Sequence, residues 1–199
     1  MRHFIRYYKW HLLFSLLVLV CIIFIYVSLT TQTSPDMTIG YAGNKYINIQ
    51  TFNDNKAEIE LLLHDANDDG KKTANFVTYT ADLQKDIDEA FAELVDSGDY
   101  DIYIASKETF KAYKDKKAFA DAATYVSFGE KEYDTLKDSQ GRIYATSLAG
   151  NTLARRLGIV EPDGLYIAAA NDDDGKLTSF KKNGRNLTGY IIDSKEKYR

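Results

Sequence analysis

The chain is 199 residues long, 45% hydrophobic, and carries 25 Lys and Arg against 29 Asp and Glu. This length suits one ordinary domain with its own core, while the acidic balance excludes a nucleic-acid binder, which needs a concentrated basic surface. Cys21 is the single cysteine, so no disulfide within the chain can hold the fold and stability has to come from packing.

The first element is the run Leu12 to Leu29, LLFSLLVLVCIIFIYVSL, which has no charge, no Pro and no Gly. About 18–20 apolar helical residues cross the roughly 30 Å hydrocarbon layer of a bilayer. Backbone in lipid must satisfy its own hydrogen bonds, which selects a helix. Arg2, Arg6 and Lys9 precede the run, and the first acidic residue after it is Asp36. The positive-inside rule then sets residues 1–11 in the cytoplasm, residues 12–31 across the membrane and the rest outside. Tyr7, Tyr8 and Trp10 in front and Tyr26 near the rear fit the interfacial aromatic belts. The run exceeds the core of a cleaved signal peptide, and Val27-Ser28-Leu29 is a poor cleavage site, so the segment reads as an uncleaved signal anchor. Val20 is not the small residue that lipoprotein processing needs before an acylated cysteine, and Cys21 reads as a small lipid-facing hydrophobe.

Residues 32–36 form a short polar linker, and residues 37–199 form the outer domain. Met37 to Tyr41 is a short β-type run. Lys56 to His64 is helical, with Ile59, Leu62 and Leu63 on one face. Asn75 to Thr80 is β-branched and aromatic and reads as a strand. Leu83, Ile87, Phe91, Leu94 and Val95 recur at three- and four-residue steps, the spacing of an amphipathic helix, with Gly98 as its left-handed terminator. Tyr100 to Ala105 is the next strand, and Ser106 can cap the helix after it. A looser stretch runs from Val126 to Ser139. Arg142 to Leu148 resumes as a strand, Asn151 can cap a helix over Thr152 to Leu157, and Gly164 to Ala169 is one more strand. Turns at Asp174-Gly175 and Asn183-Gly184 precede a closing segment, Thr188 to Asp193. Strands alternating with helices at this spacing predict an α/β domain with a mainly parallel sheet and helices on both faces.

In open α/β sheets, ligands sit beyond the carboxyl ends of the strands. That rule selects Tyr41, Asn44, Thr80, Asp82, Ser106 and Asn151 as candidate ligand-binding residues. Helix N-termini at Ser106 and Asn151 would offer backbone N–H groups to an anionic or carbonyl group; the other reading is that both residues only cap helices. Asp65, Asn67 and Asp69 followed by Gly70 match the first half of a calcium loop, but Phe76 stands where the bidentate Glu is expected. A polar turn is the other reading, and no other cofactor is called for. Asn171 to Gly175 is acidic too, with poorer spacing. Catalysis finds little footing: the histidines are His3, His11 and His64, and no nucleophile elbow or phosphate loop occurs. The domain therefore reads as non-catalytic.

The stretch from Thr80 to Asp121 carries a resemblance. A helix ends in the Gly-containing turn Asp96 to Asp99, the strand Asp101 to Ile104 follows, and a Ser-led helix begins at Ser106. Phe119-Ala120-Asp121 then leaves that helix, and Gly141 to Leu148 supplies a further strand. This order resembles the bacterial extracytoplasmic solute-binding proteins with the type 2 periplasmic fold. Members of that family have two lobes, and this chain has room for one. The resemblance implies a membrane-anchored binding or accessory protein beside a transport system, with a small solute, a permease or a second lobe-bearing protein as partner. An envelope scaffold that uses the domain only for protein contacts is the alternative.

Overall fold

The computed structural model describes residues 2–30, 34–114, 116–128, 133–172 and 178–194. The chain divides into two compact units, Met1–Ser34 and Pro35–Arg199. The first is a single helix, α1 (Arg2–Thr30). Its described side chains run unbroken from Leu13 to Ile25, about 20 Å of helix at 1.5 Å per residue, and all of them are exposed. Among the described residues no helix is long and apolar enough to cross a membrane.

The second unit is an α/β domain. In chain order its elements are β1 (Met37–Gly43), α2 (Ile49–Leu61), β2 (Ala74–Thr80), α3 (Gln84–Ser97), β3 (Ile102–Ser106) and α4 (Lys107–Lys111). A 3-10 turn (Ala122–Thr124), β4 (Thr135–Lys137), β5 (Ile143–Ser147), α5 (Thr152–Arg156), β6 (Leu165–Ala169) and α6 (Ser179–Asp193) follow. The strands form one sheet in the order β2-β1-β3-β6-β5-β4. β1 pairs in parallel with both β2 and β3. β6 joins β3 antiparallel, β5 joins β6 antiparallel, and β4 joins β5 antiparallel. Four strands thus share one direction while β6 and β4 oppose it, so the sheet is mixed, with parallel neighbours confined to β2-β1-β3.

The reason lies in the connections. Helices α2 and α3, of 13 and 14 residues, are long enough to carry the chain back along the sheet between parallel strands. Helix α5 has five residues and rises about 7.5 Å, roughly half the length of a five-residue strand. The chain therefore re-enters the sheet at the edge it left, and β6 runs antiparallel to β5. Between β4 and β5 the chain turns tightly: Gly141 N–H donates to the Asp138 carbonyl and Asp138 N–H to the Arg142 carbonyl.

Side-chain alternation along the strands divides the core. Met37, Ile39, Tyr41, Ile102 and Ile104 face a layer containing Phe52, Ile59, Leu157, Leu187, Ile191 and Ile192, drawn from α2, α6 and the end of α5. Ala42, Tyr103 and Ala105 face the opposite layer with Phe91, Phe110, Phe119, Tyr144 and Tyr166. Phe91 is the hub of that second layer, with the rings of Phe110 and Tyr113 5.1 and 5.2 Å away in edge-to-face contact, a preferred aromatic geometry.

Two local expectations are corrected. Asn183-Gly184 is no turn; both residues lie inside α6. Gly184 is there because the helix passes so close to β3 that a Cβ would stand 2.5 Å from the Asp101 carbonyl oxygen. Leu62, the C-cap of α2, is 42% exposed while Ile59 and Leu63 are buried, so it stands off the buried face. Gly98 does end α3 with φ 71°, as its left-handed freedom allows. The acidic turn through Asp174-Gly175 and residues 32 and 33 of the linker lie outside the described residues.

The amino end of the sheet is sealed by polar groups. Asp36, fully buried, accepts hydrogen bonds from the backbone N–H groups of Ala66 (2.6 Å), Asn67 and Thr73 (2.7 Å). Asn183, also fully buried, donates to the carbonyls of Asp36 and His64 and accepts from His64 N–H. Asp101 accepts from Thr38 N–H at 2.8 Å and pairs with Lys181 at 3.5 Å.

Candidate functional site at the carboxyl edge of the sheet

Because β1, β2, β3 and β5 share a direction, their carboxyl ends gather at one edge of the sheet. Tyr41, Asn44, Thr80, Asp82, Ser106 and Asn151 all belong to these ends or to the turns just beyond them. Their side chains have different employments. Tyr41 is fully buried; its hydroxyl donates to the Lys45 carbonyl and accepts from Lys45 N–H, both at 2.9 Å. Burial raises its pKa despite that backbone contact, so it is a neutral clasp holding the Asn44-Lys45 turn. Asn44, at the tip of that turn, is exposed. Thr80 pairs in register with Gly43, and Ala81 N–H reaches the Gly43 carbonyl, which brings the Thr80–Asp82 segment beside the same turn.

Ser106 Oγ accepts from Thr109 N–H at 3.2 Å and lies 3.1 Å from Thr109 Oγ1. Gln84 extends this chain by donating to Thr109 Oγ1 at 2.9 Å. Asn151 Oδ1 accepts from Ala154 N–H, and its amide donates to the Ile191 carbonyl on α6. Ser106 and Asn151 are thus N-caps, and the helices they cap have five residues each. Asn151 is buried and turned toward α6 rather than toward the edge.

The structure adds residues that the sequence pattern did not single out. Lys45 Nζ donates to the carbonyls of Glu161 (3.3 Å) and Asp163, and so fastens the β1 turn to the loop before β6. Asn44, Lys45, Tyr46, Val160 and Glu161 line an open cleft of about 380 Å³ there. Tyr46 and Val160 are 71% and 54% exposed, a solvent-facing apolar pair within a polar rim. A second cluster lies beyond β3. Lys107 Nζ stands 3.3 Å from both carboxylate oxygens of Asp134 and 5.4 Å from the centre of the Tyr166 ring, and the Tyr166 hydroxyl donates to Asp134. Burial, with Asp134 adding to it, raises the Tyr166 pKa, and hydrogen bonds to Tyr166 and Asp134 raise that of Lys107. Both shifts move these groups further from neutrality, where a general acid or base works.

The half-motif for calcium is used internally. Asp65 accepts from the N–H groups of Asp69 and Gly70, Asn67 Oδ1 accepts from Asp69 N–H, and Asp69 accepts from Lys71 N–H. Among the described residues no cluster of three or more His, Cys, Asp or Glu could hold a metal ion.

Comparison with protein-family models, with curated proteins and with solved structures finds no match to this chain.

Proposed function

We propose that the chain is a single-pass membrane protein whose α/β domain, on the extracytoplasmic side, is a non-catalytic binding or accessory module for a membrane transport system. The observation that carries this reading is the open cleft at the carboxyl edge of the sheet, where Tyr46 and Val160 stand exposed between Asn44, Lys45 and Glu161. An exposed Tyr and an aliphatic neighbour inside a polar rim is the composition of a contact surface. The cleft is open to solvent, so on this reading a small solute held there takes a further wall from a permease or another lobe-bearing protein. The topological part rests on the uncharged run Leu12 to Leu29, the cations before it, and the exposure of every described side chain from Leu13 to Ile25. An apolar surface of that extent marks a membrane or protein contact.

One observation favours a second reading, a scaffold that makes only protein contacts. The side-chain oxygens of Tyr41, Ser106 and Asn151 are spent on the domain's own turns and helix caps, which leaves few polar groups for a solute. Thermal-shift measurements on the full chain in detergent, against sugars, amino acids, short peptides and divalent cations, separate the two. Ligand binding to the native state raises the melting temperature by mass action. A shift that Tyr46→Ala abolishes supports the solute-binding module; a flat response across the set supports the scaffold. Calcium belongs in the set, and a calcium shift that survives Asp69→Ala removes the loop assignment. Protease added to intact cells should digest residues 36–199, and protection there with digestion in opened cells overturns the topology.

A further inference from the structure

The two edges of the sheet are unequally defended. β4 has three residues, a register shift between Leu136 and Lys137, and an exposed Lys, which are the usual safeguards against strand addition. β2 has seven residues, ANFVTYT, with no charge, Pro or Gly. Its pairing with β1 fixes which backbone groups are free. Ala81 N–H donates to the Gly43 carbonyl, and Met37 N–H to the Thr73 carbonyl, so in a parallel ladder the odd-numbered residues of β2 turn their amides toward β1. Phe76, Thr78 and Thr80 turn theirs outward. Ala74 N–H, also outward, is taken by Glu60 Oε1 at 3.1 Å, so the open stretch begins after Ala74.

We propose that β2 pairs antiparallel with β2 of a second copy of this chain, about a twofold axis at Val77, joining the two sheets into one. An antiparallel pair needs outward-facing residues opposite each other in its hydrogen-bonded positions. Centring on Val77 satisfies this in full for Phe76, which meets Thr78 of the other copy; Thr80 meets Ala74, whose N–H stays with Glu60 and whose carbonyl alone is open to the Thr80 N–H, while Val77 meets Val77 and Asn75 meets Tyr79 in the non-hydrogen-bonded positions. Centring on Phe76 or Thr78 satisfies the same parity, and charge decides among the three. Lys72 and Asp82 are both exposed and lie just beyond opposite ends of the strand. With the axis at Val77, Lys72 of one copy stands opposite Asp82 of the other, twice by symmetry; with the axis one residue either way, each faces an uncharged residue. No like charges meet in the Val77 register, and opposite charges directly across an antiparallel pair are stabilising. The face beside this edge is mixed, with Glu93 and Asp99 among its apolar residues. Val77 and Tyr79 border a groove of about 340 Å³ with Ala90, Leu94 and Tyr100, which the paired copy would help to cover.

The test uses the full chain in detergent and in lipid vesicles, with Cys21→Ser as background. Opposed residues in a non-hydrogen-bonded antiparallel pair have Cα atoms about 4.5 Å apart, within disulfide range. Val77→Cys should give a covalent dimer on mild oxidation. Asn75→Cys alone should not, since its symmetry mate is about 13 Å away along the strands, but a mixture of Asn75→Cys and Tyr79→Cys chains should link. In sedimentation of the cysteine-free chain, Lys72→Glu should weaken the dimer about fivefold or more and Lys72→Glu with Asp82→Lys should restore it. Cross-linking as strong through Asn75→Cys as through Val77→Cys, a monomer at every concentration, or a dimer indifferent to the Lys72 charge overturns the proposal. A monomer that takes up an extended segment of another protein at β2 counts among the overturning results.

Discussion

The two ends of the sheet use polar residues in opposite ways. At the amino end Asp36 and Asn183 are fully buried and Asp101 nearly so, and each bonds backbone from distant parts of the chain. At the carboxyl end Lys107 and Asp134 keep 37% and 58% of their side-chain surface, and Tyr46 protrudes. Removing a buried acceptor strands the amides it served without water to replace it, whereas an exposed ion pair exchanges one solvated state for another. The amino end is therefore a structural closure, and the carboxyl end keeps its charged groups where water reaches them.

That contrast breaks most visibly at Asp36. Asp36→Ala leaves the N–H groups of Ala66, Asn67 and Thr73 without their acceptor, and should lower stability by about 3 kcal/mol. Urea unfolding of the full chain in mild detergent, followed by tyrosine near-ultraviolet circular dichroism, reads this directly; a loss below about 1 kcal/mol would remove the closure from the amino end. Lys107→Ala, in the same assay, should leave the urea midpoint close to that of the wild type, because its ion pair with Asp134 lies in solvent. A clear loss would make the Lys107–Asp134–Tyr166 cluster part of the fold's framework.

The smallest effect is one of pH. Burial raises the Asp101 pKa above its ordinary 3.8, against the opposing pull of Thr38 N–H and Lys181. A carboxyl whose pKa is higher in the folded than in the unfolded chain favours the fold when protonated. Its contribution is complete below about 3.8 and is lost as pH rises through the raised value. Asp101→Asn stays neutral throughout, so its urea midpoint should gain on that of the wild type as pH rises out of this acid window. A difference that holds constant from about pH 3 to about pH 7 would mean that the Lys181 and Thr38 contacts cancel the burial.

Much of this architecture is visible in the order of residues, and the exceptions share a cause. The steps Ile87, Phe91, Leu94 and Val95 announce α3, and Met37, Ile39 and Tyr41 announce β1, because one face of each packs continuously on the core. Strand β4 escapes notice because only Leu136 of its three residues is buried. The turn inferred at Asn183-Gly184 fails because long-range terms override local propensity: Asn183 is held by Asp36 and His64, and Gly184 by the closeness of Asp101. At the carboxyl edge, residue order does bring Tyr41, Asn44, Thr80, Asp82 and Ser106 together, since they follow parallel strands. Lys107, Asp134 and Tyr166 are missed because they are separated by tens of positions, and Asp134 sits at the start of a short strand with no periodicity to flag it.

Helix α6 is the last element described, yet Leu187, Ile191 and Ile192 from it sit in the layer against β1 and β3, and Asn183 from it closes the amino end. A ribosome that has delivered every strand has therefore still not delivered one wall of the interior. Copies cut short before Ser179 expose Met37, Ile39 and Ile102 to water, the kind of oily surface that draws cellular proteases and chaperones.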